Sequence, residues 1–191
     1  MNANHYKSLK DEEVVVIIIK ENKKDLFQIL YDRYNRKVHD KCFSLLKNKE
    51  LTYDSVQNIF EKAYEKLNSF KGNSSFSSWL YSISYNYCID LLRVKNKLHY
   101  PNYNSSNEIP EIIDETEEDF TEINYTRLLT ILDLIHPEEK ALLLMKYNDD
   151  VPVNEIGNSL RISESAAKMR IKRARARVVF LYKKIYSDTN L

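Results

Sequence analysis

Apolar residues recur at spacings of three and four along most of this chain, which is the periodicity of amphipathic α-helices. In the N-terminal half the pattern predicts a short helix capped by Asp11 that ends near Ile19, a helix over about 25–47, a third from Thr52 or Asp54 to Leu67, and a fourth over about 76–93. Two glycines and four prolines in 191 residues are too few for a chain built from β-turns and hairpins. The sequence therefore predicts an all-α protein.

The stretch from Val151 to Arg177 has the pattern of two short helices joined by a tight turn. Apolar or small residues at helical spacing give each helix one inward face: Val153, Ile156 and Leu160 in the first, and Ala167, Ile171, Ala174 and Val178 in the second. Ser163 is suited to cap the second helix, since its hydroxyl can accept an orphan backbone N–H. This pattern predicts a helix-turn-helix, whose second helix fits the DNA major groove.

The second helix of this pair is densely basic. Residues 161–184 hold nine lysines and arginines against one acid, Glu164. The residues expected to face outward are Ser165, Lys168, Met169, Lys172 and Arg173. Outward side chains near the start of such a helix reach base edges, and the basic flanks hold phosphates. The alternative is a solvated basic face on a C-terminal helix, and these residues alone leave it open.

The net charge of +1 conceals a strong segregation along the chain. Residues 1–98 carry +5, residues 99–126 carry −8 without any Lys or Arg, and residues 127–191 carry +4. The middle segment also contains two prolines and a polar run. Self-repelling charge and proline favour an extended linker. We therefore expect two helical domains, 1–98 and 127–191, joined by an acidic linker over 99–126.

Membrane insertion and metal chemistry find little support in the sequence. The only long apolar run, Val14 to Ile19, is six residues, whereas a bilayer span needs about 20. Acids precede that run, unlike a signal peptide, so we expect a cytoplasmic protein. Cys42 and Cys88 lack metal-ligand spacing and sit in apolar helical patterns typical of buried thiols. The four histidines form no cluster, so neither an enzyme nor a metal or cofactor site is expected.

The segment Asp54–Arg93 resembles the core-binding and promoter-melting domain of bacterial sigma factors, in particular the extracytoplasmic-function (ECF) group. The matching elements are Asp54-x-x-Gln57, Phe60, Lys62-Ala63-Tyr64, Phe70-x-Gly72, Trp79-Leu80-Tyr81, Asn86 and Asp90-Leu91-Leu92-Arg93. The helix-turn-helix supplies a second match through Glu155-Ile156 and the basic run from Lys168 to Arg175. The group also joins its two domains by a variable, often acidic linker. Both matches occur in the expected order.

The resemblance implies two sites in the first domain. In the family, the helix corresponding to Asp54–Leu67 docks on a coiled coil of the polymerase β′ subunit. The residues that would face it here are Asp54, Gln57, Asn58 and Glu61; Asn58 replaces an acid that is usual there. The following loop and helix are similar to the part that captures an unpaired base of the minus-ten element, by stacking and edge hydrogen bonds. The corresponding residues are Phe70, Lys71, Asn73 and Asn86, with Arg93 on phosphate.

Three positions in this region bear on that assignment. We expect Trp79 to serve core packing first. Ser82 and Tyr85 stand where the family often has arginines. Phosphate affinity is therefore expected to be low, or to shift to Arg93, Lys95 and Lys97.

For the second domain the resemblance implies recognition of the minus-thirty-five element. Base-edge contacts are expected from Lys168, Met169 and Lys172, and phosphate contacts mainly from Arg170, Arg173 and Arg175. Arg161 occupies a turn position where glycine is common, so a left-handed backbone is harder to adopt there. Met169 stands where a small polar residue is frequent, which would alter the sequence read.

Together these residues indicate a transcription initiation factor. The partners implied by the resemblance are core RNA polymerase, through its β′ and β subunits, promoter DNA and an anti-sigma factor. The acidic linker would occupy a basic channel that the growing transcript later fills. Two other classes of protein are alternatives. One is a stand-alone helix-turn-helix regulator with a helical dimerisation or ligand-binding domain, and the other is a nucleic-acid enzyme, whose metal-ligand and carboxylate patterns are missing from the sequence.

Overall fold

The structure is a computed structural model, and it describes residues 3–96, which we call the first lobe, and residues 124–186, which we call the second lobe. Throughout both lobes the regular structure is helical, as the sequence predicts. The α-helices are α1 (Ala3–Lys7), α2 (Asp11–Glu21), α3 (Phe27–Leu46), α4 (Lys49–Glu65), α5 (Phe76–Asn96), α6 (Tyr125–Leu132), α7 (Pro137–Leu143), α8 (Val153–Leu160) and α9 (Glu164–Tyr186). Nearly all of the predicted acidic linker lies outside the described residues.

In the first lobe, α3 packs against both α4 and α5, and the three helices enclose an apolar core. On α3 the apolar side chains at helical spacing form a buried stripe, from Leu30 through Val38 to Leu45. Cys42 on α3 and Cys88 on α5 are buried free thiols, as expected. A hydrogen bond with Cys42, together with burial, holds the Cys88 pKa well above its usual range, which keeps this thiol protonated.

Two helix starts differ from the prediction. Lys10, not Asp11, is the N-cap of α2. The Asp11 carboxylate instead accepts hydrogen bonds from the Arg33 guanidinium and the Tyr34 hydroxyl, tying α2 to α3. The next difference is at α4, which begins at Lys49 rather than near Thr52, because the Asn48 side chain accepts a hydrogen bond from the Leu51 N–H at 2.9 Å.

In the second lobe, α9 packs across α6, α7 and α8. Asn124 caps α6 by accepting hydrogen bonds from the backbone of Thr126 and Arg127, so this helix begins just inside the range predicted as linker. A single π-helical turn, Leu144–Asn148, follows α7 and leads to Asp149. The buried residues around which these helices pack include Ile131, Leu142, Met145, Ile156 and Ile171.

The two lobes lie directly against each other. Helix α5 of the first lobe contacts α7, α8 and the π-helical turn of the second, and α3 contacts α7. The sequence carried no information on this placement, since its periodicity reports only which face of each helix is buried.

Candidate functional site

The helix-turn-helix is formed by α8 and α9 as predicted. The Ser163 hydroxyl accepts a hydrogen bond from the Ala166 N–H at 3.1 Å, which confirms it as the cap of α9. The inward faces are confirmed as well, since Ile156 and Leu160 on α8 and Ala167 and Ala174 on α9 are buried. Burying these faces fixes which side of α9 is presented to solvent.

The turn between the two helices depends on one residue that the sequence analysis missed. A Cβ added to Gly157 would lie 2.9 Å from the backbone oxygen of Ile162, too close for an L side chain, so only glycine lets α8 approach the turn this closely. The sequence signal that could have found this residue is the rarity of glycine in the chain, which has only two. Arg161, at the turn itself, adopts φ 58°, the left-handed conformation expected at that position.

The outer face of α9 presents the predicted base-edge residues. Lys168, Met169 and Lys172 are exposed, and Met169 shows 47% of its surface to solvent. The Lys168 ammonium lies 2.7 Å from a Glu164 carboxylate oxygen one turn earlier. An exposed pair of this kind is worth less than about 1 kcal/mol, so a nucleic acid would displace Glu164 at little cost.

The arginines predicted to contact phosphate are less exposed. The Arg170 guanidinium turns inward, with Nη1 2.5 Å from Oε1 of the fully buried Glu138. Arg173 and Arg175 are half-buried. The assignment of all three to phosphates stays a prediction, and for Arg170 it would require release from Glu138.

The predicted polymerase-binding residues lie on one exposed face of α4. Asp54, Gln57, Asn58 and Glu61 are all exposed, and their spacing of three and four places them in one stripe. Neither Asp54 nor Glu61 forms a salt bridge with another described residue, and Asn58 Nδ2 donates to the Asp54 backbone oxygen at 2.8 Å. The opposite face of α4 is buried through Val56, Ile59, Phe60 and Ala63.

The residues predicted for base capture lie in and after the loop between α4 and α5. Lys71 and Asn73 are exposed. The Phe70 ring is half-buried and packs 5.5 Å from Trp79 and 5.8 Å from Phe76, measured between ring centroids. Trp79 packs against the core as expected. The three rings form an aromatic cluster at this edge of the lobe, in which Phe76 is fully buried and Phe70 and Trp79 are partly exposed.

Asn86 and Arg93 lie further along α5. The Asn86 Oδ1 atom is shielded from solvent and accepts no hydrogen bond from any other part of the chain that the structure describes. The Arg93 guanidinium donates to Asp90 Oδ1 at 3.3 Å and to Glu138 Oε2 at 2.8 Å. Arg93 and Arg170 therefore meet at the same carboxylate, which spacing along the sequence did not predict.

The second lobe also carries an apolar groove of about 470 Å³ that the sequence analysis missed. Its lining residues are Tyr125, Leu128, Leu129, Leu132, Leu143, Leu144, Tyr147, Asn148, Arg175 and Val178. The leucines at helical spacing over residues 128–144 were the available signal.

Within residues 3–96 and 124–186, no group of three or more His, Cys, Asp or Glu side chains is arranged to hold a metal ion. None of the helices in those ranges is long and apolar enough to cross a bilayer.

Comparisons with known proteins agree with this architecture. Two family models match, sigma-70 region 2 over residues 30–98 and sigma-70 region 4 over residues 125–178. The ECF RNA polymerase sigma factor SigW of Bacillus subtilis is 30% identical over 172 residues, which is 82% of this chain and 89% of SigW.

Two solved structures share the fold. CnrH, in complex with the cytosolic domain of CnrY, has a TM-score of 0.59 at 19% identity and covers 92% of this chain and 98% of its own. The sigma factor RpoE from Bartonella quintana, in complex with the anti-sigma factor NepR, has a TM-score of 0.55 at 16% identity and covers 84% of this chain and 98% of its own. The region 2 and region 4 matches, in this order, together with the similarity to SigW, show that the chain belongs to the ECF sigma factors, the initiation subunits with which RNA polymerase recognises promoters.

Proposed function

We propose that this sigma factor binds core polymerase through the exposed stripe of α4, captures the minus-ten element with the loop and helix that follow, and reads the minus-thirty-five element with α9. The observation that carries the proposal is the separation of faces on α4 and α9. On each helix the apolar side is buried, and the α4 stripe and the three residues of α9 assigned to base edges are turned to solvent.

The stripe on α4 suits a basic or amide-rich partner helix. Asp54 and Glu61 supply two negative charges at its ends, and both are free of ion pairs with other described residues. Gln57 and Asn58 between them supply amide groups that can donate and accept hydrogen bonds. Docking on the β′ coiled coil would thus pair exposed groups without first breaking internal salt bridges.

For the minus-ten element, Phe70 and Trp79 provide a stacking surface and Lys71 and Asn73 provide exposed polar groups beside it. Stacking of a base on an aromatic ring is worth ~1–3 kcal/mol. The orphan Oδ1 of Asn86 could accept a hydrogen bond from a base edge. Because that atom is shielded, a base would reach it only after neighbouring chain segments move.

For the minus-thirty-five element, Lys168, Met169 and Lys172 would contact base edges, and Arg170, Arg173 and Arg175 would contact phosphates. Lysines hydrogen-bond guanine O6 and N7 in the major groove, and Met169 offers an apolar contact of the kind that suits a thymine methyl group. The side chain of Met169 is large, so the preferred sequence should differ from that of relatives with a small polar residue there.

The same proposal assigns the protein to the cytoplasm, where polymerase works, and gives it no catalysis of its own. An anti-sigma partner is part of the proposal too, supported by the RpoE relative that was crystallised with NepR. A stand-alone regulator is disfavoured, because region 2 is the family's polymerase-binding module and it matches most of the first lobe.

The decisive test combines core polymerase with wild-type chain and two matched double variants. Asp54→Arg with Gln57→Ala should weaken co-elution in gel filtration at sub-micromolar concentration. Asp32→Arg with Gln28→Ala makes the same chemical changes on exposed positions of α3 and should leave co-elution unchanged. If both double variants bind core polymerase equally well, the α4 stripe is not part of the interface.

A further inference from the structure

We propose that the free chain is held closed by two buried carboxylates of the second lobe, Asp149 and Glu138, and that this closed form must open before the promoter is engaged. The proposal rests on the proposed function for the roles of Arg93 and Arg170. The experiments that test it give different results if the free chain is open and if the proposed DNA-binding roles are wrong.

Asp149 is the first clamp. Its side chain is only 3% exposed. The neighbouring Asn148 amide donates to Oδ1 at 2.7 Å, and the other two side-chain partners belong to the first lobe. Lys41 Nζ lies 2.5 Å from Oδ1, and the Tyr85 hydroxyl donates to Oδ2 at 2.9 Å. The Ser78 hydroxyl donates to the Asp149 backbone oxygen at 3.1 Å. Charge-assisted hydrogen bonds in a buried site are among the stronger ones, so this contact resists separation of the lobes.

Glu138 is the second clamp. It is fully buried, and its two oxygens accept from Arg93 of the first lobe at 2.8 Å and from Arg170 of the second at 2.5 Å. Arg170 is assigned to a phosphate of the minus-thirty-five element in the proposed function, and the resemblance to sigma factors implies a phosphate contact at the minus-ten element for Arg93. A phosphate and Glu138 would compete for the same guanidinium groups, so the closed form and the promoter complex exclude each other at these residues.

Weaker contacts surround the two clamps at the rim of the junction. They are Lys47 with Asp133 at 2.8 Å, Lys140 with the Ser44 backbone oxygen at 2.9 Å, Ser74 with Glu155 at 3.0 Å, and Arg161 with Asp90 at 3.2 Å. Each joins one residue of the first lobe to one of the second. The exposed members of this set contribute little individually, which leaves Asp149 and Glu138 as the main polar contacts.

One face of α5 departs from the family pattern in a way that fits this arrangement. Ser82 and Tyr85 stand where relatives often have arginines, and here both are buried. The Tyr85 hydroxyl donates a hydrogen bond to Asp149, whereas an arginine at this position in a relative would contact a phosphate. A face that would carry DNA contacts in a relative is thus used in this chain to hold the second lobe.

Promoter geometry makes the opening necessary. The minus-ten and minus-thirty-five elements lie about 25 base pairs apart, or about 85 Å at 3.4 Å per base pair. In the closed form α8 contacts α5, and Ser74 Oγ in the loop before α5 lies 3.0 Å from Glu155 Oε2 on α8. The two reading surfaces are therefore far closer than about 85 Å. Covalent geometry allows residues 97–123 to reach roughly 90 Å at most, which is enough for the lobes to separate.

The contacts between the two lobes have the features of a transient interface. A cavity of about 650 Å³ lies between the lobes, lined by Lys41, Tyr85 and Asp149 among others. Polar, incompletely packed contacts between domains resemble transient interfaces. Opening therefore exchanges these buried ion pairs for polymerase and DNA contacts.

The first experiment measures the distance between lobes in the full chain. Lys20→Cys on α2 and Lys184→Cys on α9 are exposed sites for a fluorescent donor and acceptor, while the buried native thiols stay unlabelled. Asp149→Asn should lower the closed-to-open ratio on the order of 100-fold, as expected for breaking a buried pair. Asp150→Asn is the matched control, because it removes the same charge from an exposed neighbour whose left-handed φ of 51° suits asparagine.

Two outcomes of this experiment would overturn the proposal: separated lobes in the free wild-type chain, or identical energy transfer in the two variants. Tyr85→Phe provides a milder change, the loss of one hydroxyl, and should open the lobes partly while circular dichroism stays unchanged. Unaltered transfer in this variant, with Asp149→Asn too unfolded to measure, would also count against the clamp.

The second experiment locks the junction. Ser74→Cys and Glu155→Cys, joined by a reducible bis-thiol cross-linker, should still bind core polymerase but lose promoter-directed transcription more than tenfold, and reduction should restore it. Full activity in the locked state would refute the need for opening. Failure of the reduced chain to support transcription, with the distance results intact, would instead count against the proposed function and leave the closed form standing.

Discussion

Replacing Glu138 by glutamine is the sharpest single test of the buried cluster. The change removes the negative charge that Arg93 and Arg170 share, at a fully buried position. Glutamine keeps an oxygen for one arginine but supplies no charge, and breaking a buried pair typically costs 3–5 kcal/mol. We take a loss of ~3 kcal/mol in the free energy of unfolding and a decrease of that free energy with urea of ~2 kcal/mol per molar. The urea concentration at the unfolding midpoint should then fall by roughly 1.5 M.

The assay is urea unfolding of the full chain followed by far-ultraviolet circular dichroism. Glu164→Gln is the control, because it removes a carboxylate from an exposed pair with Lys168 worth only about 0.3–0.5 kcal/mol. A double-mutant cycle with Arg93→Gln should give a coupling energy above about 1 kcal/mol. A midpoint for Glu138→Gln no lower than that of the control would refute the reasoning that one buried charge holds both arginines.

Three further predictions follow from other parts of the structure. Gly157→Ala should destabilise the helix-turn-helix by ~1–3 kcal/mol, seen as a lower thermal midpoint, because its Cβ would meet a backbone oxygen. In binding assays on single-base variants at several salt concentrations, Lys168→Ala should relax preference at one or two base pairs, whereas Arg175→Ala should weaken all sites alike and reduce the salt slope by about one. Burial and the neighbouring Asp149 raise the pKa of Tyr85. The contribution of Tyr85 to the stability of the folded chain is therefore full below the ordinary tyrosine pKa of about 10, and it is lost as the pH rises through the higher pKa of the folded state. An ultraviolet titration should show a late-ionising tyrosine that Tyr85→Phe removes.

The helices and their buried faces were predictable because they depend on local periodicity. The stripe on α3, the cap at Ser163 and the inward face of α9 all follow from spacing and side-chain type. Helix starts were less predictable, because competing partners lie elsewhere in the chain. Asp11 was expected to cap α2, but its carboxylate is taken by Arg33 and Tyr34, more than 20 residues further on.

Arg93 and Arg170 show the same limit of prediction from the sequence within the candidate site. A basic helix indicates nucleic-acid binding from its composition, so Arg170 was assigned to a phosphate. The fold brings it to Glu138, 32 residues earlier in the chain, and brings Arg93 to the same carboxylate from the other lobe. Spacing cannot report such a meeting, since it arises only when α5, α7 and α9 have packed together.

Run-off transcription by core RNA polymerase with and without this chain tests the central claim most directly. Templates would come from the genome that encodes the chain, and the wild type would be compared with Asp54→Arg/Gln57→Ala and with Lys168→Ala. We predict new, chain-dependent start sites, lost with the first variant and redistributed among promoters with the second. Start sites identical with and without the chain, under conditions where a known ECF sigma factor directs its own promoter, would contradict the account.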